Sequence, residues 1–411
     1  MNSERFYLAA RGVYALAWST MVTVSLVFMV EVAGLDPLQM VLVGTVLELS
    51  VFLFEIPTGV VADRYSRRTS VIIGHFLIGV GFLVMVVEPV FAMILLAQVI
   101  WGVGWTFISG AYPAWLTSEI GVQRANEVFL RASQLSHGIA FLGIGLAIVL
   151  AHVSLALPIA VGSLLVVVLS VAMLLFMREE NFSPAVPEER ETWAALGHTF
   201  MAGVRYVRGH QVLILMLMIT AVFGMFSEGL DRLFTPHLLE RFEFPVLAGL
   251  DTVIWWGVIA AVSNLAGLAS TSIARRKVDL AAQQRLSQVL AACLAGIAVG
   301  VLLLANLDSF YAVLACFWFV GALRSAYDPL ITAWLNRLFP DSARATLFSM
   351  YGQADAIGQA AGGPVIGVIA RQLGISIALS VSALILLPAL PLYRKIARVI
   401  ANNNKGGAPC E

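Results

Sequence analysis

Runs of about 20 apolar residues recur along nearly the whole chain, and an α-helix needs a run of that length to cross roughly 30 Å of hydrocarbon. In the first half they extend from Gly12 to Ala33, Met40 to Ala62, Ser70 to Val87, Phe91 to Leu116, Ala132 to Val153 and Leu157 to Met177. The second half holds Gln211 to Thr235, Leu250 to Ile273, Gln283 to Ala305, Phe310 to Leu338, Thr346 to Ala370 and Ile375 to Tyr393. The reading is an all-α polytopic membrane protein of twelve transmembrane helices in two six-helix bundles. Composition agrees, with 60% of the 411 residues apolar and 12% charged, against about 25% charged in a soluble domain. A net charge of zero gives no reason to expect nucleic acid as a partner.

Cytoplasmic loops of membrane proteins collect Lys and Arg, so an even count of spans should leave basic residues on alternate connections. Arg5 and Arg11, then Arg64, Arg67 and Arg68, Arg124 and Arg131, Arg178 to Arg208, Arg275 to Lys277, Arg344, and the tail from Arg394 to Lys405 all fall on one side. Only Arg241 and Arg371 fall on the other. Both termini are therefore expected in the cytoplasm, at the cell membrane, with an uncleaved first helix. The division expected is a bundle over 1–177, a linker over 178–210, and a second bundle with a short tail over 211–411. Within the linker Trp193, Leu196, Phe200, Val204 and Val207 recur at helical spacing, as in an interfacial amphipathic helix that tethers the bundles.

Transporters built from two copies of one bundle leave echoes in equivalent helices. Gly102, Ala114, Trp115, Leu116, Arg124 and Ala125 recur as Gly321, Ala333, Trp334, Leu335, Arg344 and Ala345, with one extra residue in the loop. The cytoplasmic end of the second span reads Gly59-Val-Val-Ala-Asp63-Arg64-Tyr-Ser-Arg67-Arg68. Gly59 permits close helix approach, Asp63 can accept hydrogen bonds or face a helix N-terminus, and Arg67 can reach the acidic Glu119 at the end of the fourth span. A basic loop serving topology alone is the plainer reading.

This stretch resembles the loop signature of the major facilitator superfamily, G-x-x-x-D-R-x-x-R-R. The resemblance implies alternating access between two six-helix halves, with the loop latching them on the cytoplasmic side. The wider setting, EIPTGVVADRYSRR, is similar to the drug-efflux branches of that superfamily, macrolide-exporter relatives included. Gln98 stands where such exporters carry an arginine in helix four, and their glycine-proline run of helix five is matched instead in helix eleven, by Gly358, Gly362, Gly363, Pro364 and Gly367. By the same resemblance helices one, four, seven and ten line the cavity, offering Trp18, Ser19, Thr23, Ser25, Trp101, Trp105, Ser109, Tyr112, Trp318 and Tyr327. Aromatic walls with few polar groups suit amphipathic molecules, and cations stack on such rings. Packing or interfacial anchoring is the alternative for each ring.

A charge at the bilayer centre costs about 2.5–3.5 kcal/mol on insertion scales and calls for a reason. Glu48 and Asp355 each lie about ten residues into their spans, roughly 15 Å deep. Arg324 is similarly placed, with Asp328 one turn away on the same face. These four are the expected substrate or proton site. Glu228 and Asp231 are secondary candidates, expected with Arg232 toward the outer end of the seventh span. Arg324 with Asp328, and Glu228 with Arg232, are equally readable as pairs that brace the bundle.

An ATP-driven pump needs a P-loop, and the chain has no Gly-Lys pair; nor does it have H-E-x-x-H or a serine in G-x-S-x-G. The expected function is secondary active transport, as proton-coupled efflux of amphipathic molecules, by a monomer without cofactor or metal, its partners a small-molecule substrate, protons and the lipid bilayer. Uptake, lipid or metabolite translocation by the same fold, or a non-transporting sensor or scaffold are the alternatives.

Overall fold

The computed structural model describes residues 2–183, 201, 203–246, 252–278, 282–339 and 344–405. All regular structure among them is helical. In chain order the helices are α1 (Ser3–Glu31), α2 (Pro37–Arg64), α3 (Arg67–Val87), α4 (Phe91–Ser109), α5 (Ala111–Ile120), α6 (Val122–Ala151) and α7 (Ala156–Phe176). They continue as α8 (Gln211–Arg241), α9 (Val253–Lys277), α10 (Gln283–Asn306), α11 (Phe310–Leu338), α12 (Arg344–Leu373), α13 (Ile375–Ile385) and α14 (Ala389–Lys405). The helical part of the expected linker over Trp193 to Phe200 lies outside the described residues; 203–209 are helical.

Among the described residues eleven stretches are long and apolar enough to cross a membrane, α4 with α5 and α13 with α14 each counting as one. The remaining expected span is α12, a 30-residue helix whose middle carries Gln353, Asp355 and Gln359. Its length of about 45 Å is sufficient; those polar residues make it less apolar than the rest.

The breaks have local causes. Pro113 lacks an N–H and its ring crowds the carbonyl four residues back, so the fourth rod divides at Gly110. Pro388 does the same after Ile385, whereas Pro57, Pro236 and Pro364 sit inside continuous helices. Pro329 is also within unbroken helix. The start of α2 is closed by a capping box, with Asp36 and Gln39 exchanging bonds of 2.8 and 3.0 Å ahead of Pro37. Gly121 and Gly374, at φ of 81° and 96°, allow one rod to turn directly into the next.

Several helices outrun their apolar windows. Helix α1 starts at Ser3 and α6 at Val122, and their polar ends pair, Arg124 reaching Glu4 at 2.9 Å and Glu127 at 2.6 Å. Helix α8 runs on to Arg241, six residues past the expected end. That extension places Glu228 about 3 Å from the midpoint of the helix.

The chain packs as two compact units, residues 1–191 with 244–261, and residues 192–243 with 262–411. With no hydrophobic drive between helices in lipid, packing depends on close backbone approach at small residues. In the first unit α3 meets α4 at two glycines: a Cβ on Gly74 would lie 2.6 Å from the Gly104 carbonyl, and one on Gly104 would lie 2.8 Å from that of Gly74. In the second unit the glycine run of α12 meets α8, a Cβ on Gly362 falling 2.6 Å from Met225 Cα. Gly224 of α8 in turn lies against the backbone of Asp355. This crossing sets the carboxylate of α12 beside the acidic stretch of α8.

The crossing makes a paired prediction. Gly362→Ala should lower the melting temperature of the detergent-solubilised protein, overpacking of this kind costing about 1–3 kcal/mol. Gly352→Ala, where no atom lies within 4 Å of the added carbon, should leave it unchanged or raise it slightly.

Candidate functional site

Near the middle of three helices of the second unit a set of charged side chains converges. Arg324, the central residue of α11, forks onto Asp231 of α8, with Nη1 and Nη2 donating to its two carboxylate oxygens at 2.5 and 2.9 Å. Arg232 Nε donates to Glu228 at 3.0 Å, one turn away on the same helix. Asp355 accepts from Gln359 at 2.8 Å. Asp328 has no ion pair among the described residues, although it and Asp355 act electrostatically on Arg324. Four carboxylates thus face two guanidinium groups.

The expected pairing of Arg324 with Asp328 is replaced by the bidentate bridge to Asp231. Two residues four apart on one helix sit side by side, whereas a guanidinium fork fits best onto a carboxylate facing it from another helix. The expected pair of Glu228 with Arg232 is present. Glu228 is 2% exposed, while the Asp231 side chain is 45% exposed and that of Arg324 25%. The cluster therefore runs from a sealed carboxylate to a carboxylate whose side chain is nearly half exposed. An exposed charge at mid-helix is tolerated in a membrane where it lines an aqueous cavity.

Aromatic rings border these charges. The Arg324 guanidinium stands 5.8 Å from the centre of Phe223, which stacks on Tyr327 at 5.3 Å and 12°. The Tyr327 hydroxyl meets that of Tyr393 at 2.5 Å, and the Tyr351 hydroxyl meets Thr220. Phe223, Tyr351, Gln359 and Tyr393 were missed in the sequence. Gln359, one turn from Asp355 on the same helix face, was findable; the others carry no signal that separates them from packing residues.

The first unit holds the remaining expected residues. Glu48 is half-buried on α2, in a different unit from the cluster. Trp105 is 44% exposed. Tyr112, expected to line a cavity, is instead buried against Tyr7, His75 and Trp115, and its hydroxyl finds no partner among the described residues. Trp18 packs into a ring cluster with Trp101 at 5.5 Å and Phe82 at 5.8 Å. The hydroxyls of Ser19 and Thr23 bond carbonyls of their own helix, so they offer less to a ligand than their composition suggests.

The loop motif grips its own unit. Arg67 does not reach Glu119: it bonds Asp63 at 3.2 Å and the Ser118 hydroxyl at 2.6 Å. Glu119 instead accepts from the backbone N–H groups of Glu180 and Asn181, both at 2.9 Å, because the non-helical residues after α7 bring donors without a helical partner to it. Arg68 donates to the carbonyls of Met177 and Leu174, each at 2.6 Å, closing the C-terminus of α7. Glu179, unremarked in the sequence, accepts from Ser66 Oγ at 2.6 Å and the Arg68 N–H at 3.0 Å, closing the start of α3. The guanidinium of Arg64 lies over Tyr65. A Cβ on Gly59 would meet nothing within 4 Å, so the close approach expected there is not made.

Charges opposed halfway along membrane-length helices are costly in lipid and are the mark of a transport protein rather than of packing alone. The chain belongs to the Major Facilitator Superfamily, whose family model matches residues 7–287 and 284–408; it is a membrane transporter. It is 25% identical over 379 residues to "Uncharacterized MFS-type transporter YxaM" of Bacillus subtilis (strain 168), covering 90% of each chain. Its fold matches a variant of the nucleoside transporter NupG with a TM-score of 0.79 at 12% identity, over 96% of this chain and 100% of that one. A bacterial homologue of the human lysosomal transporter Spinster matches at 0.74 and 13% identity, over 98% of both chains. A peptide transporter of the POT family matches at 0.68 and 16% identity, over 96% of this chain and 95% of that one.

The loop motif separates two arginines that look alike in sequence. Arg68→Ala removes two charge-assisted bonds worth about 1.5–3 kcal/mol each, and should lower the melting temperature by several degrees. Arg64→Ala should leave it within error of the parent protein.

Proposed function

We propose that this transporter works by alternating access of its two halves and exports amphipathic, positively charged molecules in exchange for protons. The observation that carries this reading is the excess of carboxylates over guanidinium groups in the second unit. Asp231 and Glu228 have arginine partners; Asp328 and Asp355 have none among the described residues. A carboxylate without a cation at that depth is tolerable when it holds a proton or when a bound cation replaces the missing arginine. Proton and cationic substrate then compete for one place, which is the requirement for exchange. Phe223 and Tyr327 supply apolar faces next to the charge, as an amphipathic cation needs.

Topology sets the remainder. Basic residues gather at one end of the spans, so that end faces the cytoplasm with both termini, and export runs from it to the opposite side. Glu48, in the first unit, is a second place for a proton on the route.

Reconstitution in vesicles tests the exchange. With a proton gradient imposed, the parent protein should accumulate a fluorescent lipophilic cation, and Asp328→Asn and Asp355→Asn should each reduce the rate at least tenfold while folded yield stays normal. A neutral analogue of the same dye should be moved poorly by all three. Undiminished gradient-driven transport in both variants removes the two carboxylates from the mechanism.

A further inference from the structure

The proposed exchange leaves unused a groove of about 500 Å³ on the second unit, between the first three turns of α10 and helix α14. Its wall on α10 is Gln284, Gln288, Ala291, Ala292 and Ala295; its wall on α14 includes Arg394, Ala397 and Arg398. Small side chains on facing helices normally let two backbones close together in a membrane. Here they do not close. Ser287 Oγ donates to the Tyr393 carbonyl at 2.9 Å, and the buried Tyr393 ring fills the floor, held by its hydroxyl on Tyr327 and stacked with Trp334. The gap is thus fixed by the surrounding hydrogen bonds and rings.

A cleft of this size flanked by two membrane helices does not stay empty in a bilayer. Its alanine walls suit an acyl chain better than water, which needs polar partners. At its mouth Arg394 and Arg398 lie one turn apart on the same face, both exposed and without a hydrogen bond or ion pair among the described residues. Gln284 and Gln288 stand across from them. Basic pockets between transmembrane helices are suited to anionic lipid head groups. We propose that the α10–α14 groove binds one anionic phospholipid, its phosphate on Arg394 and Arg398 with the two glutamines, and one acyl chain along Ala291, Ala292 and Ala295. The site is separate from the charge cluster and does not depend on what the protein transports.

The test is native mass spectrometry of the full-length protein from detergent supplemented with phosphatidylglycerol or phosphatidylcholine. One phosphatidylglycerol should be retained, phosphatidylcholine at least tenfold less. The double variant Arg394→Gln with Arg398→Gln should lose the selectivity. Ala292→Phe, which fills the groove and keeps both arginines, should lose the bound lipid at least tenfold while leaving the fold intact, and so decides the matter if the arginine variant is poorly folded. Millimolar inorganic phosphate should not displace the lipid. Equal retention of the two lipids, unchanged retention in Ala292→Phe, or displacement by free phosphate overturns the proposal.

Discussion

Hydrocarbon offers no hydrogen bonds, so every backbone group crossing it must be satisfied inside a helix and every charge must be answered by another protein group or by water. Helices are the only elements this chain can use, and their close contacts have to come from shape. Glycine supplies that shape where α3 crosses α4 and where α8 crosses α12. The second crossing does more than pack, because it sets Asp355 against the helix that carries Glu228 and Asp231. Helix α12 thus carries Gln353, Asp355 and Gln359 on the same helix whose glycines lie against α8.

The spans were legible because a run of about 20 apolar residues is a one-dimensional signal. What the run does not mark is where the helix stops, since α1, α6 and α8 continue through polar residues that pair beyond the apolar window. Six extra residues on α8 are enough to bring Glu228 near the midpoint of that helix. Position along the helix was therefore legible for Arg324, whose helix ends where its apolar run ends, and not for the charges of α8, whose helix runs on.

Partners were harder to read than positions. Arg324 with Asp328 was the natural pair along one helix, yet the bridge is made to Asp231, which is 93 residues away in sequence. Spacing reports only neighbours on the same helix, and a bidentate fork favours a carboxylate on a facing one. The loop motif shows the same limit. Its Arg67 was read as reaching Glu119, but the strongest unmet demand nearby came from backbone groups at the end of α7 and the start of the linker. Arg68, Glu179 and Glu119 answer that demand, and no side-chain pattern in the sequence announces it.

The internal repeat reveals how one bundle came to differ from the other. Trp115 and Trp334 are both buried, as are Leu116 and Leu335, so the echo preserves packing. The same alignment, which sets Gly102 against Gly321, places Trp105 against Arg324. At that position one unit exposes an indole and the other a guanidinium held by Asp231. A single framework therefore carries an aromatic surface on one copy and a charged one on the other. The second copy also keeps rings beside its charge, Phe223 and Tyr327 bordering Arg324, so what sets it apart at this position is the added ion pair rather than the loss of aromatic surface.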